Sequence, residues 1–159
     1  MYKYIFTLFL IVNFASADAQ NVDTADMYVK KDFLIIHSSK SYSEAMAAAE
    51  KASRSQKIEL RLRGLSANKQ TGLTISKEDC EKEGLDFPAY YARGRWDDGV
   101  YLSIEYSDAY EGFRPGYYIV IAASGDRAEK EMQSTYKKIR TVYKTAYFKS
   151  SKVYIGCMH

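Results

Sequence analysis

Two copies of one local pattern frame this chain, each an apolar strand that runs through a Ser-containing turn into a helix and out into further β-rich sequence. The first copy opens Phe33-Leu34-Ile35-Ile36-His37-Ser38-Ser39 and the second Tyr118-Ile119-Val120-Ile121-Ala122-Ala123-Ser124. Short apolar strands alternating with amphipathic helices bury both only when the helices pack on a shared sheet. The repeat therefore predicts one α+β domain, and at 159 residues the chain has the length for one core.

The amino terminus carries Lys3, an apolar run over 4–14, and small residues at Ala15, Ala17 and Ala19. That order is the signature of a secretory signal, here expected over 1–19. The run is too short to span a bilayer, which takes about 20 apolar residues. The expected product is exported, periplasmic or secreted, and soluble after cleavage. Export makes an oxidised pairing of the two cysteines, Cys80 and Cys157, the natural expectation. Closing a loop of about 78 residues would contribute roughly 4 kcal/mol on the chain-entropy picture. A metal site built on Cys157 and His159 would lack the four ligands that structural zinc takes, so no metal or cofactor is expected. With a formal charge of +3 the chain is only mildly basic, which gives no case for nucleic acid as a partner.

Residues 20–31 begin polar and read as a flexible leader, with the domain proper over 32–159. Ser41-x-x-Glu44 is a capping box that starts a first helix, and Ala45, Ala49 and Ala52 give it a narrow stripe able to sit close to a sheet. Ile58, Leu60 and Leu62 alternate with Lys57, Glu59, Arg61 and Arg63, predicting a second strand. Residues 64–113 are expected to form an insertion. Asp98-Gly99 in its middle predicts a two-residue turn joining the arms of an inserted β-hairpin over 90–106. After the apolar strand at 117–123, a second helix is predicted from Asp126, with Ala128, Met132, Tyr136, Ile139 and Tyr143 on its core side, and a last β section over 146–157.

Two β-α-β units with both helices on one face of an antiparallel sheet describe a ferredoxin-like sandwich. The second unit reads Tyr117-Tyr118-Ile119-Val120-Ile121-Ala122-Ala123-Ser124-Gly125-Asp126-Arg127-Ala128-Glu129 and resembles the opening of SPOR domains. The resemblance covers 33–63 and 117–157 and rests on apolar strands and Ser-containing turns. It implies a binding domain of the cell envelope whose ligand is peptidoglycan glycan stripped of its stem peptides. The insertion is longer than that family needs between its halves.

With both helices on one side, strand alternation assigns Arg61, Arg63, Tyr91, Arg93, Arg95, Tyr101, Ser103 and Glu105 to the other. Trp96, the one tryptophan, stands at the hairpin tip. Rings stack on sugar faces and guanidinium forks match carboxylates. This face is therefore the expected ligand site, against the plainer reading of ordinary cross-strand pairs on a solvated sheet. Tyr106, Tyr110, Phe113 and Tyr117, around a loop with Asp108, Glu111 and Arg114, either line a pocket or plug the end of the sheet. No nucleophile with base and orienter can be assembled: His37 beside Ser38 and Ser39 has no identifiable acidic partner, and Glu105 with the acids at 97 and 98 is an ordinary grouping near a turn. The expectation is a non-enzymatic binding domain for envelope glycan. The alternative is an inhibitor or immunity protein that plugs a wall-degrading or toxin enzyme with residues 95–99.

Overall fold

A computed structural model describes residues 27–156. The expected signal peptide, the first part of the leader, Cys157 and His159 lie outside the described residues. Four strands form the central sheet: β1 (Tyr28–Ser39), β4 (Gly99–Tyr106), β5 (Tyr118–Gly125) and β6 (Tyr147–Tyr154). Their order is β4-β5-β1-β6 and every neighbouring pair is antiparallel. Each β-α-β unit is split by a strand from the other, the ferredoxin-like arrangement. Helices α1 (Tyr42–Gln56) and α3 (Lys130–Arg140) pack on one face. There Ala45, Ala49, Ala52, Met132 and Ile139 share a core with Leu34, Ile36, Leu102, Ile104 and Val120. Alanines on the inner side of α1 leave room for the backbone to approach the sheet, as the stripe predicts.

Half of the expected capping box forms. The Ser41 hydroxyl accepts the Glu44 amide at 3.4 Å, while the Glu44 carboxylate takes the Ser39 hydroxyl and the Ser41 amide turns to Ser39 Oγ at 3.0 Å. α3 starts at Lys130 rather than Asp126, because the Asp126 carboxylate accepts the Ala128 amide at 2.8 Å and holds the preceding residues in a turn. The expected leader is shorter than predicted. Residues 28–31 belong to β1, paired in unbroken register with 151–154.

Two expectations about the middle of the chain are corrected. Residues 58–63 do not form the strand beside β5; β4 takes that place, carrying Leu102 and Ile104 into the core. The 58–63 segment touches the sheet through one parallel bridge, Leu60 to Leu102. It is bounded by Lys57 and Arg63, both in the left-handed region (φ 54° and 58°), which turn the chain away on either side. Nor do 90–98 pair with β4 as a hairpin. The inserted hairpin is formed instead by β2 (Ser66–Asn68) and β3 (Gly72–Thr74), followed by α2 (Lys77–Lys82). Leu65, Leu73, Ile75 and the fully buried Cys80 give this insert a small core of its own, packed against Tyr42, Tyr106 and Tyr118. The pairing of Cys80 concerns Cys157, outside the described residues. The insertion therefore occupies 57–98 rather than 64–113, since 99–106 is a sheet strand.

Residues 87–98 then return as a strap across the sheet face that carries no helices. Gly94 lies so close to Phe33 that a Cβ there would meet the ring at 2.9 Å. Together with the loop 107–117, the strap covers Phe33, Ile35, Ile119, Ile121 and Val153 in a second core. The face expected to lie open is mostly closed.

Candidate ligand-binding groove

The strap is fastened by charge. Arg93 has no exposed surface. Its Nε donates to Ser124 Oγ (3.0 Å), Nη2 to the Gly99 carbonyl (2.7 Å), and Nη1 to the carbonyls of Tyr101 (2.8 Å) and Ile121 (3.2 Å) and to Ser103 Oγ (3.1 Å). The guanidinium lies 3.5 Å from the centre of the Tyr101 ring, which Arg61 approaches at 4.9 Å. Glu105, also without exposed surface, accepts Arg63 Nη1 at 2.8 and 3.0 Å, the Arg93 amide at 3.2 Å and the Tyr110 hydroxyl at 3.2 Å. Arg63 extends the network to the Tyr91 carbonyl (3.0 Å) and to Asp97 (3.0 Å). Asp97 in turn accepts the Gly94 amide at 2.8 Å and the Tyr101 hydroxyl at 3.0 Å.

A buried ion costs several kcal/mol to desolvate, and geometry this complete is what offsets it. Burial pushes the Glu105 carboxyl up from its ordinary range, with Arg63 and then Arg93 opposing. Tyr101 is pushed up to about 12 by burial first, the Arg93 charge opposing and Asp97 adding. With Arg93 and Glu105 fully buried and matched by donors and acceptors, and Arg63 and Asp97 reaching from them to the surface, the network is a lock that holds the strap down.

The expected ligand residues are thus divided. Arg93, Tyr101, Glu105 and, largely, Arg63 are interior groups of the lock and are corrected as ligand contacts. Alternation placed them on the right face, but that face is covered. Arg61 stays exposed and pairs with Glu59 at 2.6 Å. Tyr91 and Arg95 lie at the outer edge of the strap, with Arg95 5.3 Å from the Tyr91 ring centre and its Nη2 on the Gly156 carbonyl. Trp96 is 76 % exposed beside them. Of the second aromatic group, Tyr110 is the plug: it is buried edge-on against Phe33 at 4.9 Å, while Phe113 and Tyr117 line a hollow. The His37 Nε2 is buried without a hydrogen-bond partner, and no Ser–His pair forms.

That hollow is the part of the sheet face that strap and loop leave uncovered. It is a groove of about 240 Å³, with Ile119 in its floor, Phe113, Tyr117 and Tyr147 as aromatic walls, and Ser38 and Ser107 supplying hydroxyls. Each position follows from the sheet. Ser38 is opposite Ile119 in β5, and Tyr147 and Lys149 are opposite Ile35 and Phe33, so all four share the side away from the helices. The loop 107–117 is closed at its base by the Ser107 amide on the Tyr117 carbonyl (2.8 Å) and the Tyr117 amide on Ser107 Oγ (2.9 Å).

Three cations stand on the groove's rings. Lys149 Nζ is 4.5 Å from the centre of Phe113, and Arg114 and Lys40 are 5.4 and 5.7 Å from that of Tyr117. Among the described residues no carboxylate lines the groove, and none of these cations is in an ion pair. The nearby Asp108 is occupied with the Gly116 amide at 2.6 Å. Aromatic walls with uncompensated positive charge suit a ligand that offers apolar faces and an anionic group. Beyond the alternation Tyr147-x-Lys149, Lys149 and Tyr147 carry no site signal in the sequence, and Ser38 carries one only as a neighbour of His37, because their shared side depends on pairing both β5 and β6 with β1.

Among the described residues no group of three or more His, Cys, Asp or Glu is placed to hold a metal, and no helix is long and apolar enough to cross a membrane. Compared with known proteins, the chain matches no protein-family model, no curated protein and no solved structure.

Proposed function

We propose that this chain is an exported, non-enzymatic binding domain that takes an anionic glycan of the cell envelope, peptidoglycan from which stem peptides have been removed, in the groove between Ser38, Phe113, Tyr117 and Lys149. The observation that carries the reading is the set of three unpaired cations standing on aromatic walls with no lining acid. A sugar ring presents C–H faces that stack on tyrosine and phenylalanine. Removing the peptide from a muramic unit leaves a free lactyl carboxylate, which lysine and arginine can meet with charge-assisted hydrogen bonds. The resemblance to SPOR domains and the signal-like amino terminus support the same reading.

Co-sedimentation with purified sacculi, intact and amidase-treated, tests the reading. Binding is expected to rise on the treated sacculi and to fall at least tenfold in an Arg114→Ala/Lys149→Ala variant. Equal absence of binding to both preparations, or binding indifferent to that variant, rejects it. One observation favours a second reading as an inhibitor: the 76 % exposed Trp96 beside Arg95. On that reading Trp96→Ala abolishes capture of an enzyme partner while sacculi are not bound at all.

A further inference from the structure

The two edges of the central sheet end differently. β4 is covered at its middle by residues 59–61, with the Leu102 amide on the Glu59 carbonyl (2.7 Å) and the Arg61 amide on the Leu102 carbonyl (2.8 Å). β6 has only β1 beside it among the described residues, and its eight residues contain no proline, glycine or acid. An edge of this kind leaves a row of outward N–H and C=O groups able to accept another strand.

Lysines commonly blunt such edges, and Lys149 and Lys152 fit that role. Lys30 does not, because it lies on the inner strand. It stands directly opposite Lys152 in the β1–β6 register, both are exposed, and among the described residues neither is in an ion pair. Like charges placed directly opposite are unfavourable in a sheet. Beside them a hollow of about 240 Å³ runs along Ser150 and Ser151, rimmed by Gly112; Glu111 also lines it and pairs with neither lysine. The strand is bounded by aromatic rings: Tyr147, 47 % exposed, at one end, and at the other the half-buried Tyr154, whose centre lies 5.3 Å from that of the exposed Tyr28. At about 3.4 Å per residue the rings stand roughly 24 Å apart, the span of an eight-residue strand.

We propose that β6 is a docking edge for an extended acidic segment of a partner protein, which adds to the sheet as a fifth strand and sets a carboxylate between Lys30 and Lys152. Main-chain bonds supply the affinity of such an addition and side-chain hollows its selectivity. A second copy of this chain is the poorer occupant, because pairing β6 with itself brings four strand lysines together and no carboxylate.

The test is an amide-resolved NMR titration of the mature protein with a synthetic octapeptide of alternating threonine and glutamate, set against a threonine and lysine counterpart. The acidic peptide is expected to shift β6 amides, the basic one to leave them unmoved, and Lys152→Glu to weaken acidic-peptide binding at least tenfold without altering sacculus binding. No shifts at millimolar peptide, shifts confined to the groove, or equal binding by Lys152→Glu would overturn the proposal. So would a concentration-dependent dimer that already occupies β6. Because the sacculus readout is separate, failure here leaves the glycan reading standing, and the reverse.

Discussion

Arg93 binds five acceptors and a ring face while wholly excluded from water, so removing it leaves three strand carbonyls without that donor and opens a void. Breaking one side of such a network typically costs about 3–5 kcal/mol. Arg93→Ala is expected to lower the unfolding free energy obtained from urea titration by that much; a loss below about 1 kcal/mol would mean that the strap is held by apolar packing alone. Tyr101 gives a second test with a defined sign. Its folded-state value of about 12 lies above the ordinary 10, so the phenol stays protonated in the native state where the unfolded chain has ionised. Its contribution to stability is full below pH 10 and disappears as pH rises through about 12. The difference in phenolate absorbance between the native protein and Tyr101→Phe is expected to appear only near pH 12. A difference already developed near pH 10 would show that the ring is solvated. At this scale the sequence told which way side chains point, not what lies above them. The spacing of Tyr101, Ser103 and Glu105 fixes a common side, but burial of that side depends on a strap whose Arg93 lies eight to twelve residues upstream and whose path carries no periodic signal.

At the level of elements, backbone approach decides the layout. Gly72, at φ 75°, lies under the Tyr106 ring, where an added Cβ would fall 2.2 Å from ring carbon Cγ. Gly64 has a similar φ of 68° and nothing within 4 Å. Gly72→Ala is therefore expected to destabilise by more than the ~1 kcal/mol of a backbone effect, and Gly64→Ala by that backbone effect alone. Equal losses in thermal melts would remove the argument for close docking of the β2–β3 hairpin on the sheet. The same elements mark how far sequence patterns reach. The α1 and α3 stripes were legible because each helix faces one core, and the apolar runs of β1 and β5 because both faces of those strands are buried. The 58–63 alternation is as regular as a strand's, yet left-handed residues at both ends and competition from the more apolar β4 leave it one bridge. Asp98-Gly99 does begin a strand, but the residues before it serve the Arg93 lock instead of a ladder, so a turn signal without a partner strand misplaced the hairpin.

For the molecule as a whole, the attraction proposed between the groove and an anionic glycan strand would be largely electrostatic at the exposed rim and screened over roughly 8 Å at physiological salt. Sacculus binding by the intact protein is expected to weaken severalfold between about 0.05 and 0.5 M salt, while a ligand held only by ring stacking would be insensitive. The ferredoxin-like topology was legible from the repeat because strand order follows from two split β-α-β units. The groove was legible only in its loop residues Phe113, Arg114 and Tyr117, because its sheet side is the remnant left after an insert of low periodicity has covered the rest of the face. The topology also has a directional consequence. β1 enters the sheet beside the point where β6 leaves it, with the Ile155 amide on the Met27 carbonyl at 2.7 Å. Ser38 and Tyr147 lie at the opposite ends of those same strands, roughly 25–35 Å away at about 3.3 Å per residue. Met27 and Ile155 thus share one pole of the domain while the groove's Ser38 and Tyr147 lie toward the other, so a label carried at either of those two residues would stand clear of the groove.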